Sequence, residues 1–100
     1  MNTNATRAHS TIRRCIEAER FRLSEHFAKR MDDRGLFWAD VLAAIDAPTR
    51  FEPDGFDAAS RARWIVEGPC ADGAPIGIVC AIGRDDAGEL TVFVTLYWER

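Results

Sequence analysis

The segment "PIGIVCAIGRDDAGELTVFVTLYWE", residues 75–99, sets the expected fold class of this chain. Two runs rich in apolar and β-branched residues, 75–85 and 89–99, flank a short polar stretch that carries Gly88. This pattern is typical of two antiparallel strands joined by a hairpin loop. The C-terminal part of the chain is therefore predicted to be a β-sheet.

Residues 89–99 alternate between two sets of side chains, which point to opposite faces of a strand. One set is wholly apolar and is predicted to face the core: Leu90, Val92, Val94, Leu96 and Trp98. The other set is mixed and is predicted to form a partly polar surface: Thr91, Phe93, Thr95 and Tyr97. If Arg63 shares the face of Tyr97, the two side chains line a polar groove.

Two further strands precede the hairpin. "RARWIVEG", residues 61–68, has the composition of a strand, and "GPCADGAP" after it reads as a loop. "TRFEPDGF", residues 49–56, is predicted to add a short edge strand, because Pro53 cannot donate a hydrogen bond inside a sheet.

The N-terminal half has the periodicity of helices. A first helix is predicted over 10–21 with Ser10 or Thr11 as N-cap, and residues 1–5 are predicted to be frayed. The second begins after the N-cap Ser24 and ends at Gly35, and a third covers 37–46. The expected fold is α+β, with two or three N-terminal helices packed on a three- to four-stranded antiparallel sheet. Residues 1–22 would form a helical extension, and 23–100 a single domain.

Bulk composition limits the function. The chain has 100 residues, and 47% of them are apolar, which is enough for a globular core. It has 13 Lys and Arg against 16 Asp and Glu, so a nucleic-acid site would need a local cluster of basic residues. The three cysteines have no CxxC spacing, which favours a reducing compartment. No apolar run approaches the roughly 20 residues that span a bilayer, and no secretory signal is present. We therefore expect a cytoplasmic protein without a membrane partner.

The second predicted helix carries two separate stripes. Phe27 and Met31 fall on an inner side, and His26, Arg30 and Arg34 recur at intervals of four on an outer side.

This helix belongs to a longer pattern. His26-xxx-Arg30-xxx-Arg34-Gly35-Leu36 is followed by Asp40-Val41, then "ARWIVEG", an apolar strand and a terminal "TVFVTLYWE". Over about residues 22–98 the chain resembles the bacterial domain of unknown function 4258 family. The resemblance implies a relation to RelE- and barnase-like ribonuclease toxins, with RNA as substrate and an antitoxin or immunity protein as partner.

A metal-independent ribonuclease needs a base, an acid and cations on the transition state. His26 would be the base or the acid, since histidine exchanges protons near neutral pH. Arg30 and Arg34 would clamp the phosphate, and Tyr97 would donate to an oxygen or stack a base. The residues predicted to bind substrate are Lys29, Arg63 and Thr95.

Each of these residues also has a structural interpretation. His26 would bond a strand carbonyl or Asp33, Arg30 would pair with an acidic neighbour, and Arg34 would meet the C-terminal helix dipole. Tyr97 would be a half-buried sheet aromatic. No cofactor is expected, and the spacing of His9, Cys15 and His26 matches no metal site. The alternative function is a non-catalytic protein-binding module or a homodimer.

Overall fold

The computed structural model describes residues 2–98. The elements follow in the order α1 (Thr3–Glu17), β1 (Phe21–Leu23), α2 (Glu25–Arg34), α3 (Trp38–Asp46), β2 (Arg50–Phe56), β3 (Ala62–Pro69), β4 (Pro75–Asp85) and β5 (Gly88–Trp98). The strands form one sheet in the order β1-β5-β4-β3-β2. Neighbouring strands are antiparallel except β1, which is parallel to β5. The predicted α+β class is confirmed, but the sheet has five strands rather than three or four, and it is mixed.

All three helices cover the same face of the sheet. A single buried cluster joins side chains from α1, α2 and α3 to the inward residues of the strands. Its largest members include Ile12, Phe27, Ile45, Ile78 and Phe93. Within residues 2–98 no helix covers the opposite face, so the strand side chains alone form it.

A β-bulge in β5 changes which residues face the helices. Cys80 pairs with Phe93 and Val79 with Thr95, so Val94 is an extra residue. The ring of Phe93 contacts Phe27, which places it in the core. The predicted inward set was therefore wrong before the bulge, where Thr91 and Phe93 rather than Leu90 and Val92 face the helices. After the bulge Leu96 is buried as predicted, whereas Trp98, predicted to be core, is 43% exposed. The predicted end at Glu99 lies outside the described residues.

The N-terminal helix begins earlier than predicted. Asn2 is its N-cap and accepts a hydrogen bond from the backbone N–H of Ala5 at 2.8 Å, and the helix ends at Glu17. Ala5, Ala8 and Ile12 are buried at helical spacing. The predicted start at Ser10 and the predicted fraying were wrong for residues 2–5, because this alanine-rich face packs in the core. The division at residue 22 stays a prediction.

The second and third helices lie where the sequence placed them. The Ser24 hydroxyl accepts from the N–H of Phe27 at 3.0 Å, and Gly35 ends α2 in the left-handed conformation, with φ of 64°. β2 lies at the edge of the sheet, as Pro53 required. The short strand β1, Phe21–Leu23, was not predicted: Phe21 was the predicted end of the first helix, and the next two residues were assigned to no element.

Candidate functional site

The sheet face without helices, called here the open face, has a floor of small residues. The strand β4 lies in the middle of the sheet and presents Gly77, Val79, Ala81 and Gly83 to this face. Larger side chains flank them on the neighbouring strands, from β3 Arg63, Ile65 and Glu67 and from β5 Val92, Thr95 and Tyr97. The open face is therefore a shallow trough that follows β4.

One end of the trough holds a cluster of polar side chains. The hydroxyl of Tyr97 donates to Oε2 of Glu67 at 3.1 Å, and Nη1 of Arg50 donates to the same oxygen at 3.3 Å. Nη2 of Arg50 also bonds Glu52 at 2.8 Å. We call these four residues the Glu67 cluster. Both bonds to Glu67 end on Oε2, which leaves Oε1 without a hydrogen bond within residues 2–98.

Strand register explains why these residues meet. Arg50 pairs with Glu67, Glu67 with Gly77, and Gly77 with Tyr97, so one row crosses four strands. Paired residues on neighbouring strands share a face, where their side chains meet. Gly77 is the small member of the row: a Cβ there would lie 2.1 Å from the Tyr97 ring. The ring therefore crosses β4 only because Gly77 has no side chain.

Charge holds the cluster together. The hydrogen bond to Glu52 raises the pKa of Arg50, and the bond from Arg50 lowers the pKa of Glu52. Arg50 is thus a permanent cation between two carboxylates. The side chain of Glu67 is only 9% exposed, and its two donors offset the cost of removing its charge from water.

Two other predicted residues lie on the open face. Thr95 pairs with Val79, one row from the Glu67 cluster. Arg63 pairs with Ala81, and its Nη2 donates to Asp54 at 2.9 Å. The Nε atom of Arg63 is buried and has no hydrogen-bond partner within the described part of the chain. The predicted groove with Arg63 and Tyr97 on one face is thus present.

The predicted residues on α2 form a separate group. His26 is exposed, and Nε of Arg30 donates to its Nε2 at 3.4 Å rather than to an acidic neighbour. Lys29 forms an ion pair with Asp33 at 3.3 Å. The Nε atom of Arg34 is buried and lacks a partner among residues 2–98. No hydrogen bond within residues 2–98 joins the α2 residues to the Glu67 cluster. The roles predicted for the α2 residues in a site therefore remain predictions.

Sequence reasoning missed Glu67 and Arg50. Glu67 alternates with Arg63 and Ile65 in "RARWIVEG", so its place on the face of Arg63 could have been read from the strand period. Arg50 gave no such signal, because its position depends on the register of an edge strand.

Two absences concern function. Within the described residues, no group of three or more His, Cys, Asp or Glu side chains is arranged to hold a metal ion. No helix in the same residues is long and apolar enough to cross a bilayer.

The comparisons with known proteins give one match. A family model described as Domain of unknown function (DUF4258) matches residues 23–98, which include α2, Glu67 and Tyr97. Neither the curated proteins nor the solved structures contain a match to this chain. The description of the family names no activity. The helix α1 precedes the matched region. Through residues 23–98 the chain belongs to the DUF4258 family, as the motif from His26 to Tyr97 predicted.

Proposed function

We propose that the protein is an endoribonuclease that cleaves RNA by metal-independent acid–base catalysis on the open face. One observation carries the proposal: a nearly buried carboxylate, Glu67, is held by a phenol and a guanidinium on a sheet face without helices. A carboxylate oriented by donors is the arrangement that a general base needs. The relation to ribonuclease toxins that the sequence motif implies is in line with the same reaction, although the family description itself names no activity.

The reaction requires three groups around one phosphate. A base removes the proton of the ribose 2′-hydroxyl, and the 2′-oxygen forms a bond to phosphorus while the bond to the 5′-oxygen breaks. An acid returns a proton to the leaving 5′-oxygen, and cations stabilise the charge on the phosphoryl oxygens. The products are a 2′,3′-cyclic phosphate end and a 5′-hydroxyl end.

Glu67 is proposed as the base. Its Oε1 has no hydrogen-bond partner within residues 2–98 and is available to accept the 2′-proton, while Tyr97 and Arg50 hold Oε2. Arg50 is the cation nearest to Glu67, and its guanidinium has further donors for a phosphoryl oxygen. Tyr97 orients the carboxylate through the hydrogen bond from its hydroxyl.

His26 is proposed as the acid. Because α2 packs on the sheet face opposite to Glu67, the RNA would pass around the β5 edge of the sheet to reach both residues. The Ser24 hydroxyl donates to the carbonyl of Val94 at 2.8 Å, so the first turn of α2 starts beside the strand that carries Thr95 and Tyr97. The ring of His26 is exposed in that turn, and histidine exchanges protons near neutral pH. Arg30 and Arg34, one and two turns further along α2, would bind the flanking phosphate.

The experiment uses purified protein, a labelled single-stranded RNA and EDTA. Wild type is expected to cleave the RNA and to leave 2′,3′-cyclic phosphate ends. Glu67→Gln is expected to lower the rate by about 100-fold or more, the usual contribution of a general base. His26→Ala is expected to lower it as well, whereas Glu17→Gln, a matched change at an exposed position on α1, leaves it unchanged. Equal rates for wild type and Glu67→Gln, or intact RNA with every protein, would overturn the proposal.

A second candidate function is a non-catalytic module that binds protein. One observation favours it: Leu23 and Phe37 are 37% and 74% exposed and line an apolar groove of about 420 Å³ with Met31 and Leu36. Exposed apolar side chains grouped in this way mark interaction sites. A homodimer through this groove would be dissociated by Phe37→Asp in sedimentation experiments, and RNA would stay intact with all variants.

A further inference from the structure

We propose that the end of the open face opposite the Glu67 cluster is a second phosphate-binding site, which holds the backbone of a single-stranded RNA. A cavity of about 880 Å³ lies at this end and is lined by four arginines: Arg20, Arg22, Arg61 and Arg84. The identity of the ligand as RNA rests on the proposed function. The cavity would bind the RNA strand at a distance from the bond that is cut.

Arg61 is fixed over the floor of the trough. A Cβ at Gly83 would lie 2.7 Å from Cδ of Arg61, so the side chain crosses β4 where the strand has no side chain of its own. Nε of Arg61 donates to Asp57 at 2.6 Å, and Asp57 also accepts from the backbone N–H of Arg61 and of Ala59. Gly83 and Arg61 thus repeat, at one end of β4, the arrangement of Gly77 and Tyr97 at the other.

Arg20 is fixed from the other side of the cavity. Its Nη2 forms an ion pair with Asp85 and donates to the carbonyl of Gly88 at 3.3 Å. The bond from Arg20 lowers the pKa of Asp85, which keeps this carboxylate charged and in place. A guanidinium has five N–H donors, so Arg20 and Arg61 each keep donors for a phosphate after their carboxylates are bonded.

Arg22 supplies the free charge of the site. It alternates with Phe21, whose ring stacks on Trp38 in the core, so Arg22 points to the open face. Its side chain forms no hydrogen bond or ion pair within residues 2–98. The other three arginines of the lining are each paired with a carboxylate: Arg20 with Asp85, Arg61 with Asp57 and Arg84 with Glu89. Arg22 is therefore the arginine of this cavity whose charge no ion pair within residues 2–98 offsets.

The backbone beside this cavity is unusual. Glu19 and Ser60, with φ of 56° and 61°, are the non-glycine residues in the described chain with positive φ, and both line the cavity. Such conformations are uncommon for these residues and persist where surrounding structure holds them. Each directly precedes one of the fixed arginines, Arg20 and Arg61, so the two turns set the positions of the guanidinium groups.

The distance between the two ends fits an extended strand. Gly77 and Gly83 are six residues apart on β4, which is about 20 Å at the usual rise of a strand. Several nucleotides of single-stranded RNA reach this far, and proteins bind such strands in a groove that tracks the phosphates. One phosphate would lie at the Glu67 cluster and another among the arginines.

The test measures binding rather than cleavage. The probe is a fluorescein-labelled 2′-O-methyl RNA of ten nucleotides, which lacks the attacking hydroxyl. Wild type is expected to bind it, and Arg22→Ala is expected to weaken binding about tenfold and to reduce the salt slope by about 0.7, the loss of one phosphate contact on a single strand. Arg61→Ala is expected to act in the same direction.

The control is Arg7→Ala, which removes an exposed arginine of α1 whose guanidinium has no partner within residues 2–98. It should leave the affinity and the salt slope unchanged. Equal losses in Arg7→Ala and Arg22→Ala, no binding by wild type, or displacement by polyglutamate as readily as by polyphosphate would overturn the site. Binding that depends on Arg22 without any RNA cleavage would support this site and refute only the proposed function.

Discussion

Two glycines of the sheet should respond differently to the same added methyl group. Gly68 faces α3, and a Cβ there would lie 2.6 Å from the carbonyl oxygen of Ala44 and 3.1 Å from that of Ala47. Both are backbone atoms that cannot move without α3. Gly77 faces the ring of Tyr97, with 2.1 Å from its Cβ position to the nearest ring carbon. This ring is half-buried and can turn toward solvent.

The magnitudes follow from these contacts. Overpacking in Gly68→Ala costs about 1–3 kcal/mol, offset by about 0.4–1 kcal/mol from the stiffer unfolded chain. We expect a net loss of about 1–2 kcal/mol, or about 4–16 °C in Tm for a domain of this size. Gly77→Ala loses the Tyr97–Glu67 hydrogen bond, which costs about 0.5–1.5 kcal/mol of stability, and gains about 0.4–1 kcal/mol from the stiffer unfolded chain. Its free energy of unfolding should therefore change by no more than about 1 kcal/mol.

The assay is thermal and urea unfolding of both variants, followed by circular dichroism. Two further proteins, Tyr97→Ala alone and Gly77→Ala combined with Tyr97→Ala, complete a double-mutant cycle. Without the Tyr97 ring, Gly77→Ala should be neutral or stabilising. An unchanged Tm in Gly68→Ala, or an equal effect of Gly77→Ala with and without the ring, would refute the packing described for these glycines.

Three further outcomes are expected. Burial raises the pKa of Cys80 to about 12, so iodoacetamide at pH 8 should leave Cys80 unmodified in the folded protein and modify it in guanidinium, as peptide mass spectrometry would show. The backbone N–H of Arg61 lowers the pKa of Asp57, so this carboxylate stabilises the fold at neutral pH and loses that effect as pH falls. Asp57→Asn should therefore show a smaller drop in Tm between pH 5 and pH 3 than wild type shows. A drop equal to that of wild type would contradict the contact. Ser24→Ala removes the N-cap of α2 and should cost about 1 kcal/mol in urea unfolding, whereas the exposed Ser10→Ala should cost nothing, because Asn2 is the cap of α1.

Local signals in the sequence were enough for α2 and for the long strands. Ser24 and Gly35 mark the two ends of α2, and β-branched residues at period two mark β4 and β5. Phe21–Leu23 carries no such signal, since three residues are too few for a period, and its pairing with β5 is set by the tertiary fold. The bulge at Val94 likewise depends on the partner strand.

The candidate site was predictable to a similar extent. The period of β5 placed Thr95 and Tyr97 on one face, and the motif on α2 marked His26 and Arg30. The Glu67 cluster depends on a row of paired residues that crosses four strands, so Arg50 could be placed only with the register known. The arginine cavity joins turns far apart in the chain, around Glu19 and Ser60, and no sequence spacing connects them.

The most direct measurement uses a DNA strand with a single ribonucleotide, incubated with wild type and Glu67→Gln in EDTA. Attack by the 2′-hydroxyl with Glu67 as base predicts one cut, at the ribonucleotide, with a 2′,3′-cyclic phosphate end and a rate about 100-fold or more lower in Glu67→Gln. Cutting at deoxynucleotides, or the same rate in both proteins, would contradict the assignment of Glu67 as the base.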